Sequence, residues 1–283
     1  MHKTVQDIIS MKKNGKKISV ITSYDYTLAS LCDKAGVDVL LVGDSAGMVM
    51  LGYENTIPVT MDQMCMFTKA VSRARQNSLL VADLPFMSYQ ASVDDAIRNS
   101  GRLIKAGADA VKLEGGFQMA ETISAIVDVG IPVMGHIGLQ PQTTMLSQGY
   151  KVQGKTKEAA MKLIQDAKEI EEAGVFSIVL EMVSHQVAEI ISDSASVPTI
   201  GIGSGARCSG QVLVVQDLLG MYDKIKPKFA KRYMNLSEDI VKSLENYKKD
   251  VEAGAFPSEE NWFSMEKEEF DKLREEIGSK KNH

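Results

Sequence analysis

The residues SLLVADL at 78–84 and DAVKLEG at 109–115 are two apolar runs, separated by a segment with helical periodicity at 92–107. SLLVADL is a nearly continuous apolar run and does not alternate, which is typical of a parallel strand covered on both faces. Ser92 followed by Asp95 is a helix-start signal, and the segment ends at a glycine, as helices often do. The stretch therefore predicts a strand, a helix and a second parallel strand.

The same alternation continues along most of the chain. Further strands fit KISVITSY at 17–24, DVLLVGD at 38–44, IPVMGHIG at 131–138, FSIVLEM at 176–182, VPTIGIG at 197–203 and QVLVVQD at 211–217. Further helices fit residues 26–35, 60–76, 118–129, 157–173 and 184–194. Strands alternating with helices in this number predict the α/β class and a single (β/α)8 TIM barrel. A doubly wound open sheet is the alternative, because a strand count cannot prove closure.

The last part of the chain has a different pattern. From Leu236 onward it is helical in character and rich in charge. Apolar residues recur near helical spacing over 258–279, namely Trp262, Met265, Phe270, Leu273 and Ile277. We therefore expect a barrel domain at 1–257 and an amphipathic C-terminal helical tail at 258–283, packed on the barrel or on a neighbouring subunit.

Composition and charge exclude several classes of function. The chain has 283 residues, with 44% hydrophobic and 24% charged residues, which is ordinary for a globular protein. Lysine and arginine number 32 against 37 acidic residues, giving a net charge of -5, so no nucleic-acid partner is expected.

Cysteine usage and hydropathy indicate where the protein works. The three cysteines, Cys32, Cys65 and Cys208, form no disulfide framework or zinc-site spacing. The N-terminal residues carry charges every few positions, unlike a signal peptide, and the uncharged stretch 129–150 is interrupted by prolines and His136. A cytoplasmic protein without a membrane partner is predicted.

Acidic side chains stand where several of the predicted strands end. Asp44 ends the second strand, Asp83 the third, Glu114 the fourth and Glu181 the sixth. In an α/β barrel these ends converge on one mouth. Two carboxylates about 4 Å apart repel by about 4 kcal/mol at an effective dielectric of about 20, so protonation or a cation must relieve them. Because the donors are all oxygens, Mg²⁺ is the predicted cation. A single strand-end Asp is more often a helix cap or turn former, but three on consecutive strands weaken that interpretation.

Lys112 and Glu114 are two residues apart in a predicted strand, so they share a face. With Val111 and Leu113 against the helices, both would point into the barrel. Two interpretations stay open: an internal Lys–Glu ion pair, or a cation for a substrate carboxylate beside a metal-binding Glu. His136 follows the fifth strand and is either a satisfied core histidine or part of the site.

GIGSGA at 201–206 formally fits a dinucleotide-binding fingerprint. The next apolar run begins near Gln211, which leaves no room for the crossover helix that the fingerprint requires. Two long connections, 45–58 and 138–156, are candidate loops over the site, with ordinary surface excursions as the alternative.

Several sequence blocks, none sufficient alone, together resemble the ketopantoate hydroxymethyltransferase family. The blocks are VGDS at 42–45, ADLPF at 82–86, VKLEGG at 111–116, GHIGLQPQ at 135–142, GYKVQG at 149–154, VLE at 179–181, IGIGSG at 200–205 and PKFAKRY at 227–233. The resemblance runs in order over about residues 4–260. Their joint occurrence is very specific.

The resemblance implies a (β/α)8 enzyme of pantothenate synthesis, homodecameric in bacterial members. It implies that Mg²⁺ and the co-substrate 5,10-methylenetetrahydrofolate convert the 2-oxo acid 3-methyl-2-oxobutanoate into 2-dehydropantoate. Matched position by position, it assigns Asp44, Asp83 and Glu114 to the metal, Asp44, Ser45, Asp83 and Lys112 to the keto acid, and Glu181 to proton acceptance.

The chemistry of the residues agrees with that implication. A 2-oxo acid chelates Mg²⁺ through its carboxylate and keto oxygens, and the metal stabilises the enolate formed when a base removes the C3 proton. Lys112 would hold the carboxylate, and Ser45 can donate to it.

The alternative is another Mg²⁺-dependent 2-oxo acid lyase or mutase, of the phosphoenolpyruvate mutase or isocitrate lyase type. Lyases of that type typically use a catalytic cysteine loop, and no cysteine here lies in a strand-end acidic motif. A binding protein on a barrel scaffold would need no cluster of carboxylates.

Overall fold

The fold is a closed barrel, seen in a computed structural model that describes residues 2–144, 151–224 and 227–280. The strands are β1 Ile18–Thr22, β2 Val39–Val42, β3 Leu79–Asp83, β4 Ala110–Glu114, β5 Val133–Gly138, β6 Ser177–Glu181, β7 Thr199–Ile202 and β8 Gly210–Leu213. Each strand pairs in parallel with the next, and β8 pairs with β1. The predicted (β/α)8 barrel is confirmed, and the open-sheet alternative is wrong.

Helices follow most strands and surround the barrel. They are α1 Val5–Lys13, α2 Tyr26–Lys34, α3 Ala46–Val49, α4 Met61–Ala74, α5 Val93–Lys105, α6 Ala120–Asp128, α7 Pro141–Thr144, α8 Lys157–Glu172, α9 His185–Ser194, α10 Val215–Leu219, α11 Leu236–Glu252 and α12 Lys267–Lys280. Short 3-10 helices lie at Phe117–Met119 and Glu259–Asn261. Thr60 and Gln63 form the capping box of α4, and Ser92 caps α5. These two predicted helix starts are therefore confirmed.

The chain between β7 and the end of β8 departs from the regular pattern. Residues 203–209 join β7 to β8 without a helix, as the short spacing after GIGSGA predicts. The predicted eighth strand at 211–217 ends earlier, because the chain turns into α10 at Val215. There the backbone nitrogen of Val215 donates to Oγ1 of Thr22. The apolar run therefore serves a strand and a helix in succession.

Two apolar clusters place the side chains of the strands. One fills the barrel interior and includes Val81, Ala110 and Val179; the other, between barrel and helices, includes Val111 and Leu113. Because side chains alternate along a strand, Lys112 and Glu114 share the inward face of Ala110. The predicted orientation of this pair is confirmed.

The chain divides into two compact units, residues 1–234 with the barrel and 235–283. In the second unit, Tyr247 and Phe256 make an edge-to-face ring contact at 5.6 Å. A C-terminal helix is present, but it begins at Lys267, so Trp262 and Met265 precede it. The division at residue 257 stays a prediction. None of the described helices has the length and apolar character that a membrane crossing requires.

Candidate active site

A cavity of about 370 Å³ opens at the carboxyl ends of the strands, a size typical of small-molecule sites. Its wall contains the predicted residues Asp44, Ser45, Asp83, Lys112, Glu114, His136 and Glu181, and also the titratable residues Asp217, Tyr222 and Lys228. The structure thus brings together every site residue that the sequence predicts. Apolar side chains, among them Val179, Ile202 and Val212, form much of the remaining wall.

Lys112 and Asp83 form a buried ion pair. They are register partners in β4 and β3, and Nζ of Lys112 lies 2.9 Å from Oδ1 of Asp83. Burial alone would lower the pKa of Lys112, but Asp83, Glu114 and Asp44 together raise it above its ordinary value. The lysine is therefore cationic, and its close partner is Asp83 and not the Glu114 of its own strand.

Asp44 and Glu114 add negative charge that one lysine does not balance. Burial and then the nearby Asp83 raise the pKa of Asp44 to about 7. Burial and then Asp44 raise the pKa of Glu114 well above its ordinary range. The backbone nitrogen of Asp44 also donates to Oδ2 of Asp83 at 3.1 Å, which ties the ends of β2 and β3 together. A further cation would therefore reduce the repulsion between the carboxylates of this cluster.

Gln142, for which the sequence predicts no role, bonds two of these carboxylates. Its Nε2 donates to Oδ2 of Asp44 at 2.8 Å, and its backbone nitrogen donates to Oε2 of Glu114 at 3.1 Å. Among the described residues, no group of three or more His, Cys, Asp or Glu side chains is arranged to hold a metal alone. The position of Gln142 in the GHIGLQPQ block, directly after a strand end, is the sequence signal that could have identified it.

The donor set nevertheless fits Mg²⁺. This ion is usually bound through one or two carboxylates, with waters and substrate oxygens completing its shell. Asp44 and Asp83 supply adjacent buried carboxylates, whose mutual repulsion a divalent cation would relieve. An oxygen-only set of this kind suits a hard cation and gives no reason to expect zinc.

Glu181 and His136 form the other side of the mouth. Nε2 of His136 lies 3.3 Å from Oε2 of Glu181, and Nδ1 lies 3.5 Å from Nζ of Lys112. Burial and then Lys112 lower the pKa of His136, so the ring is neutral near pH 7. A neutral ring that accepts from Lys112 at Nδ1 has its proton on Nε2, facing Glu181.

The backbone around Glu181 is held in an unusual conformation. Met182 has a φ of +48°, which L-residues other than glycine rarely adopt. Oγ of Ser204 accepts from the backbone nitrogen of Val183 and donates to the carbonyl of Leu180. These bonds fix the turn that directs Glu181 toward the cavity. Ser204 lies in the IGIGSG block after β7, but nothing in that block predicts this role.

Ser45 and the long connections complete the mouth. Ser45 lies just before α3, and its Oγ is 2.8 Å from the hydroxyl oxygen of Tyr24. The connection 45–58 contains α3, and Met48 and Val49 line the cavity. The second predicted loop, 138–156, contributes Pro141 to the cavity wall; its residues 145–150 lie outside the described residues.

Comparison with known proteins gives one consistent result. Residues 2–259 match the sequence model described as ketopantoate hydroxymethyltransferase. The chain is 85% identical over 279 residues, 99% of this chain and 100% of the relative, to the 3-methyl-2-oxobutanoate hydroxymethyltransferase of Nitrosopumilus maritimus (strain SCM1). It is 58% identical to the protein of the same name from Cenarchaeum symbiosum (strain A), covering 92% of this chain and 99% of that one.

Solved structures with the same fold are more distant in sequence. Phosphoenolpyruvate phosphomutase from Streptomyces platensis subsp. rosaceus superposes with a TM-score of 0.61 at 14% identity, covering 99% of this chain and 98% of that one. Phosphonopyruvate hydrolase in complex with oxalate and Mg²⁺ superposes with a TM-score of 0.59 at 11% identity, covering 92% and 93%. At such identities the likeness shows the fold alone.

Proposed function

The chain belongs to the ketopantoate hydroxymethyltransferase family, which makes it a transferase enzyme, and from that premise we propose its reaction. The proposed substrates are 3-methyl-2-oxobutanoate, 5,10-methylenetetrahydrofolate and water; the products are 2-dehydropantoate and tetrahydrofolate, in the first step of pantothenate synthesis. The observation that carries the proposal is the buried Lys112 among the carboxylates of the cavity.

The 2-oxo acid is proposed to bind with its carboxylate beside Lys112 and Ser45. Lys112 is 5% exposed and cationic, so an anion entering the cavity gains an electrostatic interaction that water screens little. The hydroxyl of Ser45 lies at the wall of the same cavity. The apolar side chains of Val179, Ile202 and Val212 suit the branched alkyl end of 3-methyl-2-oxobutanoate.

Asp44 and Asp83 are proposed to hold Mg²⁺, with Glu114 as the third metal residue. When bound, Mg²⁺ draws electron density from the keto oxygen and so makes the C3 proton more acidic. Lys112 forms an ion pair with Asp83, and Gln142 donates to Asp44 and Glu114. These bonds keep the buried carboxylates in place at the wall of the cavity.

Glu181 is proposed to take the C3 proton. It stands at the end of β6, across the mouth from β2 and β3, and its side chain is 15% exposed. The facing Nε2 of His136 orients the carboxylate. Once Glu181 holds the proton, the C3 carbon is the nucleophile for the methylene carbon of the folate. The two C–N bonds of that carbon are replaced by the new C–C bond and by a C–O bond from water, and the protons from C3 and from water go to the nitrogens of the released tetrahydrofolate.

We also propose a location and an assembly for the enzyme. Cys32, Cys65 and Cys208 are all free thiols, which agrees with a cytoplasmic, reducing location. The resemblance to bacterial family members suggests that the protein forms a homo-oligomer, namely a decamer. Its mass can be measured by light scattering.

A turnover assay tests the proposed reaction against the alternative. With Mg²⁺, 3-methyl-2-oxobutanoate and 5,10-methylenetetrahydrofolate, the protein should form 2-dehydropantoate only when all three are present. A lyase or mutase of the phosphoenolpyruvate mutase type would act on a 2-oxo acid without folate. None of the three cysteines lines the cavity, so no observation favours a cysteine-dependent lyase. Folate-independent conversion of the 2-oxo acid would reject the proposal.

A further inference from the structure

Gln142 is a buried amide that joins the ends of several strands. It is 1% exposed, and besides Asp44 its Nε2 donates to the carbonyl oxygen of Leu84 at 3.0 Å. Its Oε1 lies 2.8 Å from the hydroxyl of Tyr89 and 3.2 Å from Nε2 of Gln90. The short helix after β5 is thus bonded to the segments that follow β2 and β3.

The orientation of this amide is fixed by its neighbours. The carboxylate of Asp44 and the carbonyl of Leu84 both accept hydrogen bonds, so the nitrogen must face them. Tyr89 and Gln90 can both donate, so the oxygen must face those two residues. An amide flipped by half a turn would put its oxygen against two acceptors. Gln142 therefore presents donors to the acidic cluster in a single arrangement.

Two carboxylates assigned to the metal depend on this residue. Gln142 bonds Oδ2 of Asp44 and Oε2 of Glu114, so each carboxylate has one oxygen that Gln142 does not use. Without the amide donor, the buried carboxylate of Asp44 would turn toward another donor, and Lys112, which bonds Asp83, has further N–H groups to offer. Such a rotation would remove an oxygen from the metal and occupy the lysine reserved for the substrate.

We propose that Gln142 is a positioning residue that sets the rotation of Asp44 and Glu114 for Mg²⁺, with Tyr89 holding its amide in place. The inference rests on the proposed function, because it acts through the metal site of that proposal. Residues around metal ligands usually change metal affinity about 10- to 100-fold when they are replaced. Gln142 itself contacts neither the substrate nor the reacting carbon in this proposal.

The test compares three variants of the full-length protein. Gln142→Met keeps the side-chain length and the backbone donor to Glu114 but removes the amide donor to Asp44, and Mg²⁺ affinity measured by calorimetry should fall about 10- to 100-fold. The rate should recover when Mg²⁺ is saturating. Tyr89→Phe leaves the amide but removes the hydroxyl that orients it, and it should show a smaller loss in the same direction. Gln165→Met is the matched control, because Gln165 is exposed on α8 and its amide bonds Glu169 instead of the acidic cluster.

The outcomes separate this inference from the proposed function. A merely structural role would lower the melting temperature of Gln142→Met and leave Mg²⁺ affinity as in the wild type, which would overturn the inference alone. If Gln142→Met does not fold, the Mg²⁺ affinity of Tyr89→Phe decides, and an unchanged value overturns the inference. If the wild type itself binds no Mg²⁺, the metal part of the proposed function fails, and this inference fails with it.

Discussion

A Cβ atom on Gly138 would lie 2.3 Å from the carbonyl oxygen of Glu181, its register partner in the neighbouring strand. Gly138 has a φ of +98°, and the same carbonyl accepts from the backbone nitrogen of Leu139 at 2.8 Å. The contact is with backbone, which cannot move away as a flexible side chain can. Only glycine therefore allows β5 to end this close to the proposed base.

Gly138→Ala should destabilise the protein and impair catalysis together. Overpacking costs about 1–3 kcal/mol, in addition to the unfavourable backbone conformation. Gly130→Ala is the control, since Gly130 has a φ of +87° and no described atom within 4 Å of an added Cβ. Urea unfolding should show a larger loss for Gly138→Ala, with a lower kcat. Equal effects of the two substitutions would contradict the clash.

Lys112→Met should destabilise the protein in a pH-dependent way. Removing one partner of a buried ion pair costs about 3–5 kcal/mol, because the remaining charge is left uncompensated. The loss should be smaller at about pH 5, where protonation of the carboxylates relieves that charge. Lys168→Met removes an exposed pair with Glu172 and should leave the melting temperature unchanged. A pH-independent loss would show that the cost comes from packing.

The metal-free protein should lose stability as pH rises. The pKa of Asp44 is raised from 3.8 to about 7 in the folded state. Between these values the folded protein binds more protons than the unfolded chain, so the free energy of unfolding falls as pH increases. The raised pKa of Glu114 acts in the same direction. Mg²⁺ should therefore raise the melting temperature most above about pH 7.

Thermal unfolding of Asp44→Asn at several pH values checks this dependence of stability on pH. The variant removes the titrating group, so the decline of stability with pH should flatten in the absence of metal, and the gain from Mg²⁺ should shrink. Asp94→Asn is the matched control, because Asp94 is 76% exposed at the start of α5. A slope in Asp44→Asn equal to that of the wild type would show that other groups cause the pH dependence.

The inward-facing part of the site could be predicted from sequence because strand geometry is regular. Side chains alternate, so an inward Lys112 places Glu114 on the same face, and parallel strands bring Asp83 beside it. Gln142 and Tyr89 could not be placed in this way. Their positions depend on hydrogen bonds between segments distant in sequence, and no local periodicity encodes those bonds.

The partner of Lys112 and the end of β8 show two further limits of prediction from the sequence. The ion pair with Asp83 depends on the register between β3 and β4, which the sequence of β4 alone does not specify. At residues 211–217 a continuous apolar run fits either a buried strand or a buried helix, and the chain uses it for both. Tertiary hydrogen bonds, such as that between Val215 and Thr22, decide where the strand ends and the helix begins.

The apolar residues of α12 are expected to be buried in the assembled protein. Phe270, Leu273 and Ile277 are 47%, 41% and 52% exposed in the single chain, a large apolar exposure for one helix. Truncation after Phe256 should lower the melting temperature or the assembly mass. Leu273→Ser should act in the same direction, whereas Lys272→Ser, on an exposed neighbour, should not. Unchanged mass and melting temperature after truncation would show that the tail is dispensable.

Glu181→Gln should abolish proton removal while leaving binding intact. The substitution keeps the side-chain volume but removes the basic oxygen, so exchange of the C3 proton of 3-methyl-2-oxobutanoate in heavy water should stop, with or without folate. Loss of a general base typically costs about 10²- to 10⁴-fold in rate. Mg²⁺ and 2-dehydropantoate should still bind, because Lys112, Asp44 and Asp83 are unchanged. Glu121→Gln, on the exposed start of α6, is the control.

The competing role for Glu181 is a hydrogen bond to the new hydroxyl of the product. In that case Glu181→Gln would exchange the C3 proton at the wild-type rate and still turn over slowly, since an amide can also bond a hydroxyl. The base would then be sought at His136, whose Nε2 lies 3.3 Å from Glu181. The lowered pKa of His136 keeps that ring neutral, but its Nδ1 faces the ammonium group of Lys112. Its Nε2 then carries a proton and cannot accept another, so this geometry favours Glu181 as the group that accepts the C3 proton.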